Sequence, residues 1–179
     1  MKRYLGLFAL LILAQPVVAA PPSATGWPDS VEVPVSKTLR TYRDWRIEQS
    51  AVLISAVTTN QDGSSFGLLC GKACTYYANT GTRCDTGETY PGLLSTQAGA
   101  IPITLRCTHV REEGEDYSVL IVDDDLTDAL KDATQVNLVI PLLEGEFDVS
   151  HFSMTGAAEA LDAMLEIAMK QDGPKHKSL

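Results

Sequence analysis

Gly63-Ser64-Ser65-Phe66-Gly67 sets a serine in the spacing G-x-S-x-G. In α/β-hydrolases that spacing lifts a nucleophilic hydroxyl onto a sharp turn between a strand and a helix. Here Asn60-Gln61-Asp62-Gly63 reads as a turn and Phe66 to Cys70 as a strand, so the context that the chemistry needs is missing, as are βα repeats. A serine nucleophile also needs a base. Of the three histidines, His176 sits in a basic tail, while His109 and His151 continue the apolar faces of their strands. Nothing marks a partner for either as a general base. The expectation is a chain without catalytic residues, with Ser65 the least poor nucleophile.

Asp123, Asp124, Asp125 and Asp128 form an acidic cluster that could be read as a calcium loop. The EF-hand pattern requires alternating ligands, a central glycine and a distal glutamate, and these are absent. An acidic first turn favoured by the helix dipole explains the cluster, so no metal and no cofactor are expected. Cys70, Cys74, Cys84 and Cys107 lack the paired C-x-x-C units of a zinc site and read instead as two disulfides. Gly71-Lys72-Ala73 makes a three-residue turn between two short strands, which favours Cys70–Cys74 and leaves Cys84–Cys107. Cys70–Cys107 with Cys74–Cys84 stays open as the competitor.

These residues need elements to hold them, and short strands dominate. Val52 to Thr59 is apolar on both faces, as a central strand is. Ile101, Ile103, Leu105 and Cys107 alternate with Thr104, Arg106 and Thr108. Tyr117 to Val122 and Gln135 to Leu142 follow, and Glu144-Gly145 turns the chain into Phe147 to Phe152. A short helix opens at Asp125, and a second runs from Gly156 to Lys170 with Thr155 as its cap. The second should dock through Leu161 and Leu165 on its apolar stripe. Hairpin-length connections predict an antiparallel, sandwich-like, mainly β domain with a docked C-terminal helix. Trp27, Trp45, Tyr76, Tyr77 and Tyr90 offer an aromatic surface, of which at least half is expected in packing.

The ends read differently. Lys2 and Arg3 precede the apolar run Leu5 to Leu13 and the small-residue site Val17-Val18-Ala19-Ala20, the pattern of an export signal cleaved after Ala19. The run is shorter than the roughly 20 residues of a membrane span, and no later segment approaches that length. Residues 1–19 are thus read as the signal peptide and 20–38, with four prolines, as an extended arm. Residues 39–170 form the single domain, and 171–179 a tail. With 23 acidic against 14 basic residues the net charge is −9, which disfavours nucleic-acid and anionic-lipid partners.

Three strands and the helices carry a family pattern. Tyr117 to Ala133, Gln135 to Leu142 and Phe147 to Phe152 leading into Gly156, with Asp44-Trp45 near the start of the domain, resemble the invasion-associated locus B family of exported bacterial proteins. The resemblance implies an Ig-like β-sandwich in the periplasm or envelope, in a family linked to host interaction and without an established enzymatic mechanism. It supplies no catalytic residues. The chain is therefore read as an exported, disulfide-bonded, non-catalytic binding or envelope-accessory domain whose partner is a protein or envelope component, periplasmic or secreted. The alternatives are a periplasmic inhibitor or immunity-type protein and a serine hydrolase using Ser65.

Overall fold

The computed structural model describes residues 30–32, 34–112, 115–123, 126–130, 132–142 and 145–171. The expectations for 1–19, for Trp27, for Asp124 and Asp125, and for the tail with His176 lie outside the described residues.

The fold is mainly β and antiparallel. In chain order the strands are β1 (Ser30–Glu32), β2 (Lys37–Tyr42), β3 (Trp45–Gln49), β4 (Ile54–Thr59), β5 (Ser65–Cys70) and β6 (Cys74–Asn79). Then come β7 (Thr89–Thr96), β8 (Gly99–Glu112), β9 (Glu115–Val122), α1 (Thr127–Leu130), β10 (Gln135–Pro141), β11 (Phe147–Ser153) and α2 (Ala157–Gln171). All strands belong to one sheet, in the order β11-β10-β7-β8-β9-β6-β5-β4-β3-β2, with β1 added parallel to the end of β8. Hydrogen bonding thus draws a single curled sheet, where two separately bonded layers were expected. Within the stretch read as an arm, β1 is already part of that sheet.

Alternation explains the core. Trp45 and Ile47, Ile54 and Ala56, Phe66 and Leu68, and Val136 and Leu138 all point to one side and are buried. Phe66 of β5 stacks on Tyr76 of β6 at 6.0 Å and on Phe152 of β11 at 5.5 Å between ring centroids. Since β5 and β11 are far apart in strand order, the Phe66–Phe152 contact shows that the sheet curls until its two arms share one core.

α2 packs against β2, β3 and β4. Ala157, Ala160 and Met164 are its buried residues, while Leu161 and Leu165 are only half-buried, so the anchor lies beside the pair that helical spacing suggested. Its start differs too. The Gly156 carbonyl accepts the Ala160 N–H, which makes Gly156 and not Thr155 the capping position. Gly156 has φ +90°, and a Cβ there would run into the Tyr42 carbonyl at the β2–β3 turn. This close approach fixes how the helix leaves the sheet.

Candidate functional site

Both faces of part of the sheet are buried, which follows from the two-sided apolar pattern of β4 and β9. Opposite the main core, Val57 and Ile121 are 1% exposed, and Ser55, Thr108 and Val119 are also buried. Register aligns a row across the strands: Arg46 beside Val57, Val57 beside Gly67, Gly67 beside Tyr77 and Tyr77 beside Ile121. The hairpin β8–β9, which pairs Thr108 with Val119 and Val110 with Tyr117, carries the row's apolar face on beyond β6. Together these strands line a groove of about 370 Å³.

Gly67 shapes its floor. A Cβ at this position would collide with the Ala56 carbonyl oxygen, so the neighbouring strand can approach only because the side chain is absent. Val57, Leu69, Val119 and Ile121 give apolar walls, Tyr77 and Tyr117 aromatic ones, and Ser55 and Ser65 hydroxyls. The charged residues of the lining neutralise each other. Arg46 donates to Glu48 through Nε at 2.5 Å, and also to Thr59 Oγ1 at 2.9 Å. Such a surface suits a neutral or apolar group edged by hydrogen-bonding atoms.

Ser65 opens β5 after the Asn60–Gly63 turn, so it is not on a strand-to-helix elbow. Among the described residues, no histidine lines its groove. His109 sits in a side-chain pair with Thr86 Oγ1 at 3.1 Å and with the Cys84 carbonyl oxygen at 3.2 Å. His151 is 2.7 Å from Asn137 Oδ1. It lines a wider cleft of about 640 Å³ between β11 and the β4–β5 turn, together with Asp44, Asn60 and Asp62. Polar groups there are bonded to one another: Ser153 donates to Asp44 at 2.6 Å, and Asn60 Oδ1 accepts from the Asp62 and Ser64 amides.

No family model matches the chain, and no curated protein matches it. Among solved structures, the chain is similar to the crystal structure of invasion associated protein B from Bartonella henselae. The sequence identity is 16%, the match covers 77% of this chain and 99% of that chain, and the TM-score is 0.40.

The four cysteines form two disulfides, Cys70–Cys74 and Cys84–Cys107. The first closes the β5–β6 turn, and the second ties the β6–β7 connection to the buried side of β8. Of the acidic cluster, Asp123 pairs with Arg106 at 3.3 Å. Among the described residues no three His, Cys, Asp or Glu side chains come together as metal ligands would. None of the described helices is long and apolar enough to cross a membrane.

The aromatic residues divide. Trp45 and Tyr76 are core, Tyr90 is half-buried with its hydroxyl donating to Glu88 at 2.7 Å, and Tyr77 reaches the groove. That hydrogen bond to Glu88 raises the Tyr90 phenol above its ordinary value. Sequence reasoning did not single out Tyr117, Arg46 or Val119. The signal was present in β9, whose Tyr117, Val119 and Ile121 alternate with Leu120 and Val122 so that neither face is polar.

Proposed function

We propose that this chain is an exported, disulfide-stapled binding domain of the cell envelope that recognises a protein or envelope component through the β3–β9 groove and performs no catalysis. The observation that carries this reading is the groove itself: a recess of about 370 Å³ with apolar and aromatic walls, its ion pair internally satisfied. It offers contact area and hydrogen-bond edges, and its one carboxylate, Glu48, is paired with Arg46. Two disulfides fit an oxidising compartment, in keeping with the signal-like Met1 to Ala19 segment. Kinship with the invasion-associated locus B family and an Ig-like description of the curled sheet belong to the same proposal, on the sequence pattern around Asp44-Trp45 and residues 117–156.

A photoreactive amino acid in place of Tyr117 tests the reading in cells. We expect covalent adducts from position 117 and none from Glu159, exposed on α2. Labelling of Ser65 by a fluorophosphonate, abolished in Ser65→Ala, would replace the binding reading with a hydrolase.

A further inference from the structure

The outer face of β7, β8, β10 and β11 is a second surface, separate from the groove. Alternation sends Leu94, Ile103, Leu138 and Phe152 into the core and leaves Pro91, Leu93, Val139, Pro141, Phe147 and Val149 on the other side. Register makes them neighbours, with Val139 between Leu93 and Val149, and Pro141 opposite Phe147. Phe147 is 64% exposed, Val149 44% and Leu93 36%.

Among the described residues, the centre of this face carries no outward charge. Over residues 91–95, 100–104, 137–141 and 147–151 the sole ionised side chain is Asp148, which lies on the core side and accepts a hydrogen bond from Thr82 at 3.0 Å. In a chain with 21% charged residues, a four-strand patch without a charged outward position is not an ordinary solvated face, and the nearest outward charge, Arg106 further along β8, is paired with Asp123. The opposite end of the sheet is protected. There β2 bears Lys37 and Arg40 and a register shift between Thr38 and Arg40, devices that keep other sheets away. β11 pairs with β10 in unbroken register and carries a single charge, the inward-pointing Asp148.

We propose that this face is the interface of a homodimer, packed sheet on sheet against the same face of a second copy. A net charge of −9 repels like chains over most approaches, and this is the surface on which two copies meet without opposing carboxylates. A two-fold axis places one apolar patch on its equal, the self-complementary arrangement of symmetric dimers. A membrane surface is disfavoured, because no Lys or Arg stands within the patch to meet lipid headgroups and Arg106, at its border on β8, is already paired with Asp123. A four-strand face about five residues long covers roughly 300 Å². Standard stable interfaces use about 800 Å² per partner, so the dimer is weak.

Sedimentation velocity on the purified protein, disulfides intact, over about 10 μM to 1 mM tests this. The weight-average mass should rise from monomer towards dimer across that range. Phe147→Glu and Val149→Glu, both at exposed sites, should remain monomeric throughout with unchanged near-ultraviolet circular dichroism. Met169→Glu, at a position 68% exposed on α2, should follow the unsubstituted protein. A monomer at every concentration overturns the proposal, and so does equal weakening by Met169→Glu. Flotation of the monomer with phosphatidylcholine vesicles, lost in Phe147→Glu, would also overturn it and assign the face to a bilayer.

Discussion

The indole Nε1 of Trp45 donates to the carbonyl oxygen of Ser153 at 2.8 Å, across 108 residues of sequence. The bond joins β3 to the end of β11, the two arms that no ladder connects. Beside it the Ser153 hydroxyl donates to Asp44, and the Asp44 amide donates to the Thr155 carbonyl at 3.3 Å. Closure of the curled sheet therefore rests on buried side-chain packing plus this small set of bonds.

Trp45→Phe keeps an aromatic ring but removes the donor and part of the volume of a side chain that is 0% exposed. We expect a loss of about 2–4 kcal/mol in urea unfolding, whereas Ser153→Ala, which keeps the carbonyl acceptor, should cost about 1 kcal/mol. Equal midpoints for the two variants would show that the closure does not depend on the indole.

Met164 is fully buried on α2 and Leu161 is half-buried. Met164→Ala should cost about 2–4 kcal/mol and Leu161→Ala less than half of that, because transfer and cavity costs both scale with what is removed from a closed site. Thermal melts ranking Leu161→Ala as the more damaging would place the helix in a different rotation.

Gly145 and Gly156 both have positive φ, but of the two only Gly156 has backbone, the Tyr42 carbonyl, where an added Cβ would go. Gly145→Ala should cost about 1 kcal/mol from conformation alone. Gly156→Ala should cost more than about 2 kcal/mol, since the start of α2 must also move away from the β2–β3 turn. Chemical denaturation of both variants reads the difference directly.

Cys84–Cys107 closes a sequence separation of 23 and Cys70–Cys74 one of 4. Replacing the first pair by alanines should cost about 3 kcal/mol and the second about 2 kcal/mol, following the loop-closure entropy of the unfolded chain. Near-equal losses would point to native-state effects of the bridges instead.

Near the end of the β8–β9 hairpin, Arg111 donates to both carboxylate oxygens of Asp116, at 2.8 and 2.9 Å. This hydrogen bonding, with Coulomb attraction to the same guanidinium, holds the Asp116 carboxyl below its ordinary value. Because the folded-state value is depressed, the pair is intact above the ordinary aspartate range and is lost as pH falls through the lowered value. Amide exchange in the hairpin should therefore rise only on strong acidification, and Asp116→Asn should remove that step. An NMR titration placing the Asp116 carboxyl at or above the usual aspartate value would contradict this.

Local periodicity made the fold class legible. Strict alternation from Ile101 to Cys107 and the Gly145 turn before Phe147 are decided within a few residues, so antiparallel strands and the C-terminal helix could be read from them. β2 and β7 were not legible: Lys37–Tyr42 is largely polar, and Pro91-Gly92 interrupts Thr89–Thr96. Both become strands because neighbouring ladders supply their hydrogen bonds. The groove was half legible. Two apolar faces on β4 and β9 announce burial on both sides, but which strands share the second face depends on pairings such as Tyr77 with Ile121, made between residues far apart in the chain. Helical spacing likewise defined an apolar stripe on α2 without saying that Met164, and not Leu161, occupies its buried centre. That rotation shows only in the packing of α2 against β2, β3 and β4, and the curl of the sheet in contacts such as Trp45 with Ser153. Alternation is a property of neighbouring residues and survives in the bare sequence, whereas closure depends on which distant surfaces fit one another, and only the folded chain brings those together.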